Sequence, residues 1–487
     1  MDTKAFYWIG FLLYSASVVY LGWRGYRNRS ATQDVDLAFW AAGKSLNATS
    51  VGLSISASFM SISWSCVYTV QLFYWYGLSA LWLVPIPWLL TMAGFYLLAP
   101  HFRRLPAFSQ PEMLAHRFGK PMRQIFALPV AMVFTVWGGA EIFAAAKVLT
   151  PLLDVPFWLT LMLIAGVVAA YSFLGGFSAV VVTDKLQFAL VAFFIITIAA
   201  LGLNGLHTQF SAGNWFEKLP PPPKSQGEAV EWIALAPGLI IMTLIAYLPG
   251  WLVETDIWLR IQAAKDLKAA RRGILLASAA SFVFLALLPM IIGLAALILY
   301  PPHDTYIPAE LEDGAAIFAV LMRDFSPPLL SLLLSIGLAA AAMSTIDTCG
   351  NVVALSLSYD MIEPRIRQAG IDRGKIARIM SAAAIVLTFF YALFIESLWD
   401  IFYLSSGILT TTLFLPMMAL FIPEASAVRV KRSAAAGFFS TLIFYILESR
   451  GWLFALQPAW ISETGLGYIL WGFIAAGAGF LMPLKRR

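Results

Sequence analysis

Long apolar runs separated by short polar breaks dominate the chain, and their lengths set the first expectation. A helix rises 1.5 Å per residue, so about 17–25 apolar residues cross the hydrocarbon core of a bilayer. Thirteen runs stand out as spans: 6–23, 46–71, 78–100, 125–150, 156–174, 179–203, 236–258, 274–300, 329–361, 379–395, 399–421, 434–447 and 465–482. The run 434–447 is the shortest, and 156–174 nearly touches 179–203 at Gly175-Gly176. The pattern predicts an all-α polytopic membrane protein.

Two spans are interrupted. Span 46–71 carries Ser54, Ser56, Ser58, Ser61, Ser63 and Ser65, and span 236–258 carries Pro249-Gly250 followed by Glu254, Thr255 and Asp256. Proline removes a backbone donor and glycine loosens a helix, so carbonyls are freed at membrane depth. Each interrupted span opens a run of five, the first ending near Leu203 and the second near Phe421. An odd number of crossings inverts the second run relative to the first, and discontinuous helices at matching places point to a binding site between the halves. Ordinary helix kinks are the alternative for either break alone. The chain then divides into an additional helix and loop (1–45), a first five-helix repeat (46–204), an external loop (205–235), a second repeat (236–423) and two accessory helices (424–487).

Composition agrees with a membrane location. The 487 residues are 60% hydrophobic and 12% charged, against about 25% charged in soluble domains. A soluble α-protein with buried helices is the disfavoured alternative. The net charge of +5 would suit a nucleic-acid partner if it lay on one face, but the basic residues cluster between apolar runs. With the N-terminus outside, 25 of the 32 Lys and Arg fall on the cytoplasmic side, and a miscounted span would scramble that asymmetry. The predicted topology is N-out and C-in, in a bacterial-type inner membrane. The run 6–23 has aromatic residues throughout and an arginine flank, which favours a retained span over a signal peptide. Cys66 and Cys349 fall inside spans and read as buried side chains rather than a disulfide or metal pair.

Five strings in order and on consistent sides of the membrane carry a resemblance. They are Phe39-Trp-Ala-Ala-Gly-Lys-Ser-Leu46, Gln110-Pro-Glu-Met-Leu-Ala-His-Arg-Phe-Gly119, Gly175-Gly-Phe-Ser-Ala-Val-Val-Val-Thr-Asp-Lys-Leu-Gln187, Arg260-Ile-Gln-Ala-Ala-Lys-Asp266 and Ala341-Ala-Met-Ser-Thr-Ile-Asp-Thr348. The chain resembles the sodium:solute symporter family, whose fold is the leucine-transporter-type 5+5 inverted repeat. The resemblance implies secondary active import of a small polar organic solute by alternating access, coupled to one sodium ion or two.

Ala341, Ser344, Thr345 and Thr348 are spaced as one helical stripe. A lone hydroxyl in a span ordinarily bonds the carbonyl one turn back, but four small or hydroxylic positions beside Asp347 point to a cation site. Oxygen ligands suit a hard cation. The family's sodium site, carried over by motif, implies Ala57, Met60, Ala341, Ser344 and Thr345 as ligands. An aspartate at membrane depth costs about 2.5–3.5 kcal/mol on insertion scales, so Asp184 is expected to be paired or functional. The resemblance implies a second sodium near Asp184, Ser344, Asp347 and Thr348. The alternative pairs Asp184 with Lys185 or places it at a helix end.

Solute contacts are expected between the breaks, from Ser61, Trp64, Gln71, Trp137, Glu141 and Glu254. The acidic set Glu141, Glu254 and Asp256 favours an amine-bearing solute, or protonation coupled to transport. A salt bridge to Arg260 or Lys147 is the alternative, preferred for Asp256. Trp75 and Trp82 read as interfacial rings. No nucleotide-binding glycine loop, metal-spaced histidines or nucleophile–base pair supports an ATPase or a membrane enzyme. A non-transporting sensor on the same membrane module is the competing class, against which the absence of an appended soluble domain counts. Besides the bilayer and the solute, neither nucleic acid nor an obligate protein partner is expected.

Overall fold

The computed structural model describes residues 3–27, 44–105, 107, 109–210, 215–303, 306–362 and 373–483. The string at Phe39 therefore falls largely outside the described residues, as do most of the loops after the first span and around Arg365. In chain order the helices are α1 (Thr3–Arg27), α2 (Ala48–Phe59), α3 (Thr69–Tyr76), α4 (Pro85–Phe102), α5 (Gln110–Phe118), α6 (Pro121–Leu153), α7 (Phe157–Gln209), α8 (Pro237–Trp251), α9 (Thr255–Ala263) and α10 (Leu267–Ser281). They continue as α11 (Leu288–Leu299), α12 (Ile317–Phe325), α13 (Pro328–Ala354), α14 (Arg373–Ala392), α15 (Leu398–Leu409), α16 (Leu415–Met418), α17 (Ala427–Ser449), α18 (Ala459–Ser462) and α19 (Gly467–Leu481).

Among the described residues, eight continuous helical segments are long and apolar enough to cross a bilayer. Two bent pairs pass the same test when each is taken as one span. Large apolar side chains such as Leu97, Phe394 and Phe439 face outward, as lipid contact requires and water would penalise. The short predicted span 434–447 lies within the 23 residues of α17, which begins in the basic flank Arg429–Arg432.

Spans 156–174 and 179–203 form one helical run, the 53 residues of α7. Straight, it would extend about 80 Å, but its contacts show that it reverses. Asp154, just before α7, pairs with Lys4 at 2.5 Å, and a Cβ placed on Gly22 would meet Tyr171 at 3.2 Å. The first half thus runs alongside α1 in the same direction. Gln187 then donates to Tyr14 at 2.9 Å, back toward the start of α1. The two halves cross in opposite directions, as two spans do.

Both expected interruptions are present. The chain bends by 59° between α2 and the segment Ile62–Trp82, and by 41° between α8 and α9. The bends lie side by side, because the Ser58 hydroxyl beside the first donates to Asp256 beyond the second at 2.6 Å. One face is closed by Arg103 and Arg117, which donate to carbonyls of Ile261 and Ala264 and of Leu420 and Ile422. On the opposite face Gln71 and Trp75 both donate to the Asp313 carbonyl. Trp75, expected as an interfacial ring, is thereby buried under the loop before α12.

Candidate ion and solute site

The first break forms without proline or glycine. α2 starts at Asn47, whose side chain accepts from Ser50 N–H at 2.8 Å, and it ends at Met60 with ψ 60°. Ser61 then caps a π-helical turn, Ile62–Tyr68, by accepting the Trp64 N–H at 2.9 Å. Ser65 bonds back to the Ser61 carbonyl at 2.7 Å. Serine side chains offer the backbone alternatives to a continuous ladder, and a run of them ends one helix and starts another.

The hydroxyl stripe of α13 meets this break. Ser344 donates to the Ala57 carbonyl at 3.0 Å, and Thr345 to the Ser58 carbonyl at 2.9 Å. Ala57, Met60, Ala341 and Ser344 are completely buried. Two hydroxyls of α13 and two carbonyls at the end of α2 therefore form one cluster of uncharged oxygens. Carbonyls at a helix C-terminus carry partial negative charge, which favours a cation there.

Three other serines of α2 and its π turn address carboxylates, while Ser56 bonds back to the Gly52 carbonyl at 2.8 Å. Ser54 donates to Asp184, Ser58 to Asp256 and Ser63 to Glu141, which also accepts the Ser63 N–H at 3.2 Å. Asp184 does not pair with Lys185. Arg260, itself 1% exposed, places Nη2 3.4 Å from Asp184 and Nη1 3.4 Å from Asp256. The same guanidinium donates to Thr348 and Ser54, each at 2.9 Å. Asp347 accepts from the Tyr171 hydroxyl at 2.9 Å. Asp184 and Thr348 are thus joined through Arg260, and Asp347, next to Thr348 on α13, is held by Tyr171.

The second break falls after Trp251, not at the Pro249-Gly250 pair, which lies within α8. Gly250 serves packing instead: a Cβ there would lie 2.7 Å from the Ser406 carbonyl oxygen. Only glycine lets α8 approach α15 so closely. Beyond the break, Asp256 and Arg260 are one turn apart on α9 and pair along it.

A cavity lies between the two breaks. Ser61, Trp64, Trp137, Glu141, Glu254 and Thr345 line it, as do Trp88, Trp251 and Phe402. Of the expected solute contacts, Gln71 alone lies elsewhere. It lines a second cavity of about 650 Å³ with Lys147, Glu312 and Trp399, where Lys147 pairs with Glu312 at 2.9 Å. Between the two cavities Tyr68 stacks on Trp64 (5.3 Å) and approaches Phe402 (5.0 Å) and Trp399 (6.3 Å). Lys224 pairs with Asp313 at 3.2 Å and sets its Nζ 3.2 Å from the centre of the Trp75 ring. Burial pushes its ammonium below the ordinary lysine value, with Asp313 partly opposing that shift.

The sodium:solute symporter family model matches residues 39–443, most of the chain and both breaks. The chain belongs to the sodium:solute symporter family. It is 25% identical over 369 residues to sodium/proline symporter 2 of Staphylococcus saprophyticus, covering 72% of this chain and 68% of that one. It is 26% identical over 387 residues to the high-affinity proline transporter PutP of Bacillus subtilis, covering 75% and 77%. A substrate-bound, outward-open sodium-coupled sialic acid symporter superposes over 98% of both chains with TM-score 0.72 at 17% identity. A nucleobase-cation-symport-1 family transporter in a closed conformation superposes over 91% of this chain with TM-score 0.50 at 12% identity. This symporter is a sodium-coupled secondary transporter, not an enzyme.

Sequence reasoning counted Arg260 with the cytoplasmic loop and expected it as a partner of Asp256, but missed its full burial and its reach to Asp184, Ser54 and Thr348. Its spacing of four from Asp256 was the available signal. It also missed Trp88, Trp251 and Phe402, because aromatic residues are common in every span and only packing selects those that meet at one cavity.

Proposed function

We propose that this symporter imports a small, amine-bearing polar solute with one sodium ion, by alternating access about its two bent helices. The observation that carries the reading is the approach of the Ser344 and Thr345 hydroxyls to the carbonyls of Ala57 and Ser58. Carbonyls of Ala57, Met60 and Ala341 with these two hydroxyls would hold the ion. Five neutral oxygens suit a hard monovalent cation without adding net charge to the bilayer. Thr345 also lines the central cavity, so an ion held there orders one wall of the solute site. The two ligands then stabilise each other reciprocally.

One ion rather than two follows from Arg260. Its guanidinium already supplies a positive charge to Asp184 and a donor to Thr348. A second sodium at Asp184, Asp347 and Thr348 would require Arg260 to withdraw. The excess of carboxylates facing the central cavity, Glu141 and Glu254 without a basic neighbour among its described lining, supports a solute that brings positive charge.

The same reading places thirteen helices in a bacterial inner membrane, N-out and C-in, with repeats 46–204 and 236–423 inverted about the breaks. The decisive test needs no solute. Purified protein is titrated with sodium chloride against potassium chloride at constant ionic strength while thermal unfolding is followed. Sodium is expected to raise the unfolding midpoint selectively, and Ser344→Ala with Thr345→Ala to abolish that rise. Equal midpoints in sodium and potassium would defeat the ion assignment.

A further inference from the structure

The central cavity is rich in acceptors and rings, and most of its donors are already engaged. The hydroxyls of Ser58, Thr345 and Thr348 donate to Asp256, to the Ser58 carbonyl and to the Ser344 carbonyl, at 2.6, 2.9 and 3.1 Å. The indole N–H groups of Trp88, Trp137 and Trp251 donate to the hydroxyls of Ser281, Ser405 and Ser406, at 3.0, 2.7 and 3.2 Å. The donor hydrogens of these six residues are therefore directed to partners within the protein. On the acceptor side, Glu254 Oε2 and Asp256 Oδ1 are buried and accept from no other group of the protein, the two carboxyls facing each other. Among the described lining residues none is lysine, arginine or histidine.

The rings meet edge to face, as walls do. Trp64 stands at 88° to Trp251 (5.3 Å between centres) and at 76° to Phe402 (4.6 Å). Trp251 in turn stands at 70° to Trp88 (5.4 Å). Each indole is fixed by other contacts, Trp251 by stacking on Tyr247 at 4.2 Å. Tryptophan faces attract cations, and more strongly where water is excluded.

We propose that the cavity binds an alkylated ammonium cation carrying one hydrogen-bond donor, caged by Trp64, Trp88 and Trp251 with Glu254 as counter-charge and acceptor. The proposal rests on the reading of this cavity as the solute site of a sodium-coupled symporter, and narrows the solute from any amine to this class. A methyl-clad ammonium spreads its charge over apolar surface and asks for no acceptor at the nitrogen, which suits ring walls. Its single donor meets the unpartnered carboxylate oxygen.

Choline and its uncharged carbon isostere 3,3-dimethyl-1-butanol share shape and hydroxyl and differ in charge, so the pair isolates the cage. Thermal unfolding of the full-length protein is followed with each compound, and with proline, in sodium and in potassium buffer. Choline is expected to stabilise in sodium, and the isostere to bind about thirty-fold more weakly, as a desolvated cation–π contact implies. Trp251→Leu should lose a similar factor, Trp251→Phe should recover part of it, and Glu254→Gln should weaken choline but not the isostere. Equal binding of choline and the isostere overturns the proposal, as does stabilisation by proline alone. If proline stabilises only in sodium, symport stands and the cage falls. If choline stabilises equally in potassium, the cage stands and the sodium assignment falls.

Discussion

Arg260→Met removes the one basic side chain that is fully buried among the described residues. It leaves Asp184 and Asp256 in place, each 3.4 Å from a guanidinium nitrogen before the change. Unit charges about 4 Å apart attract by about 4 kcal/mol at an effective dielectric of about 20. Breaking a buried pair by deleting one partner costs about 3–5 kcal/mol, because the other charge is left stranded. The variant should therefore unfold at a clearly lower midpoint in potassium buffer. Sodium should then recover more stability than it adds to the wild type, because the space between Asp184 and Thr348 opens to a second ion. The apparent order of the sodium titration should rise from one toward two. Arg260→Lys keeps the charge but cannot reach Asp184, Ser54 and Thr348 together, so it should fall between the two. Adding Asp184→Asn to Arg260→Met should return part of the loss, and a double-mutant cycle reads that coupling. A wild-type midpoint and an unchanged sodium order in Arg260→Met would refute the counter-charge role.

Other expectations follow from single contacts. Gly250→Ala puts a Cβ 2.7 Å from a backbone oxygen of Ser406, which cannot yield as a flexible side chain would. The variant should lose about 1–3 kcal/mol and show a lower unfolding midpoint, whereas an unchanged midpoint would mean α8 and α15 can part freely. Glu141→Gln keeps an acceptor for Ser63 but removes the charge facing the cavity. Thermal stability should change little while affinity for a cationic solute drops, and parallel loss of both would make Glu141 a structural residue. Glu141→Ala should differ by destabilising as well, since it strands the Ser63 donors at a cost of about 1–3 kcal/mol.

The helices were legible in the sequence because apolar length is a strong signal and lipid holds no water to satisfy the backbone of an open alternative. The two breaks were legible for different reasons and with different accuracy. At Ser54 to Ser65 the serines mark the break itself, since Ser61 caps the new turn. At Pro249-Gly250 the marked residues lie within α8, and the break follows three residues later. Proline freed a carbonyl without ending the helix, and the glycine answered to its neighbour α15. The α13 stripe could be read from spacing alone, as could the pairing of Asp256 with Arg260. Which carboxylate each serine addresses could not, because Ser54 with Asp184 and Ser63 with Glu141 are joined only by tertiary packing. Gln71 failed as a solute contact for a related reason. It shares a helix with the break, but a turn and more beyond Trp64 it lies past the Tyr68 layer, in the second cavity.

Sodium-driven accumulation tests the central claim most directly. Proteoliposomes holding the purified protein are given an inward sodium gradient and a pooled library of small polar solutes, and the lumen is assayed by mass spectrometry. At least one amine-bearing solute should concentrate above its outside level. That excess should collapse when the gradient is dissipated, and Ser344→Ala with Thr345→Ala should abolish it. Accumulation that persists with potassium in place of sodium, or no accumulation of any solute by protein that sodium stabilises, would contradict the account.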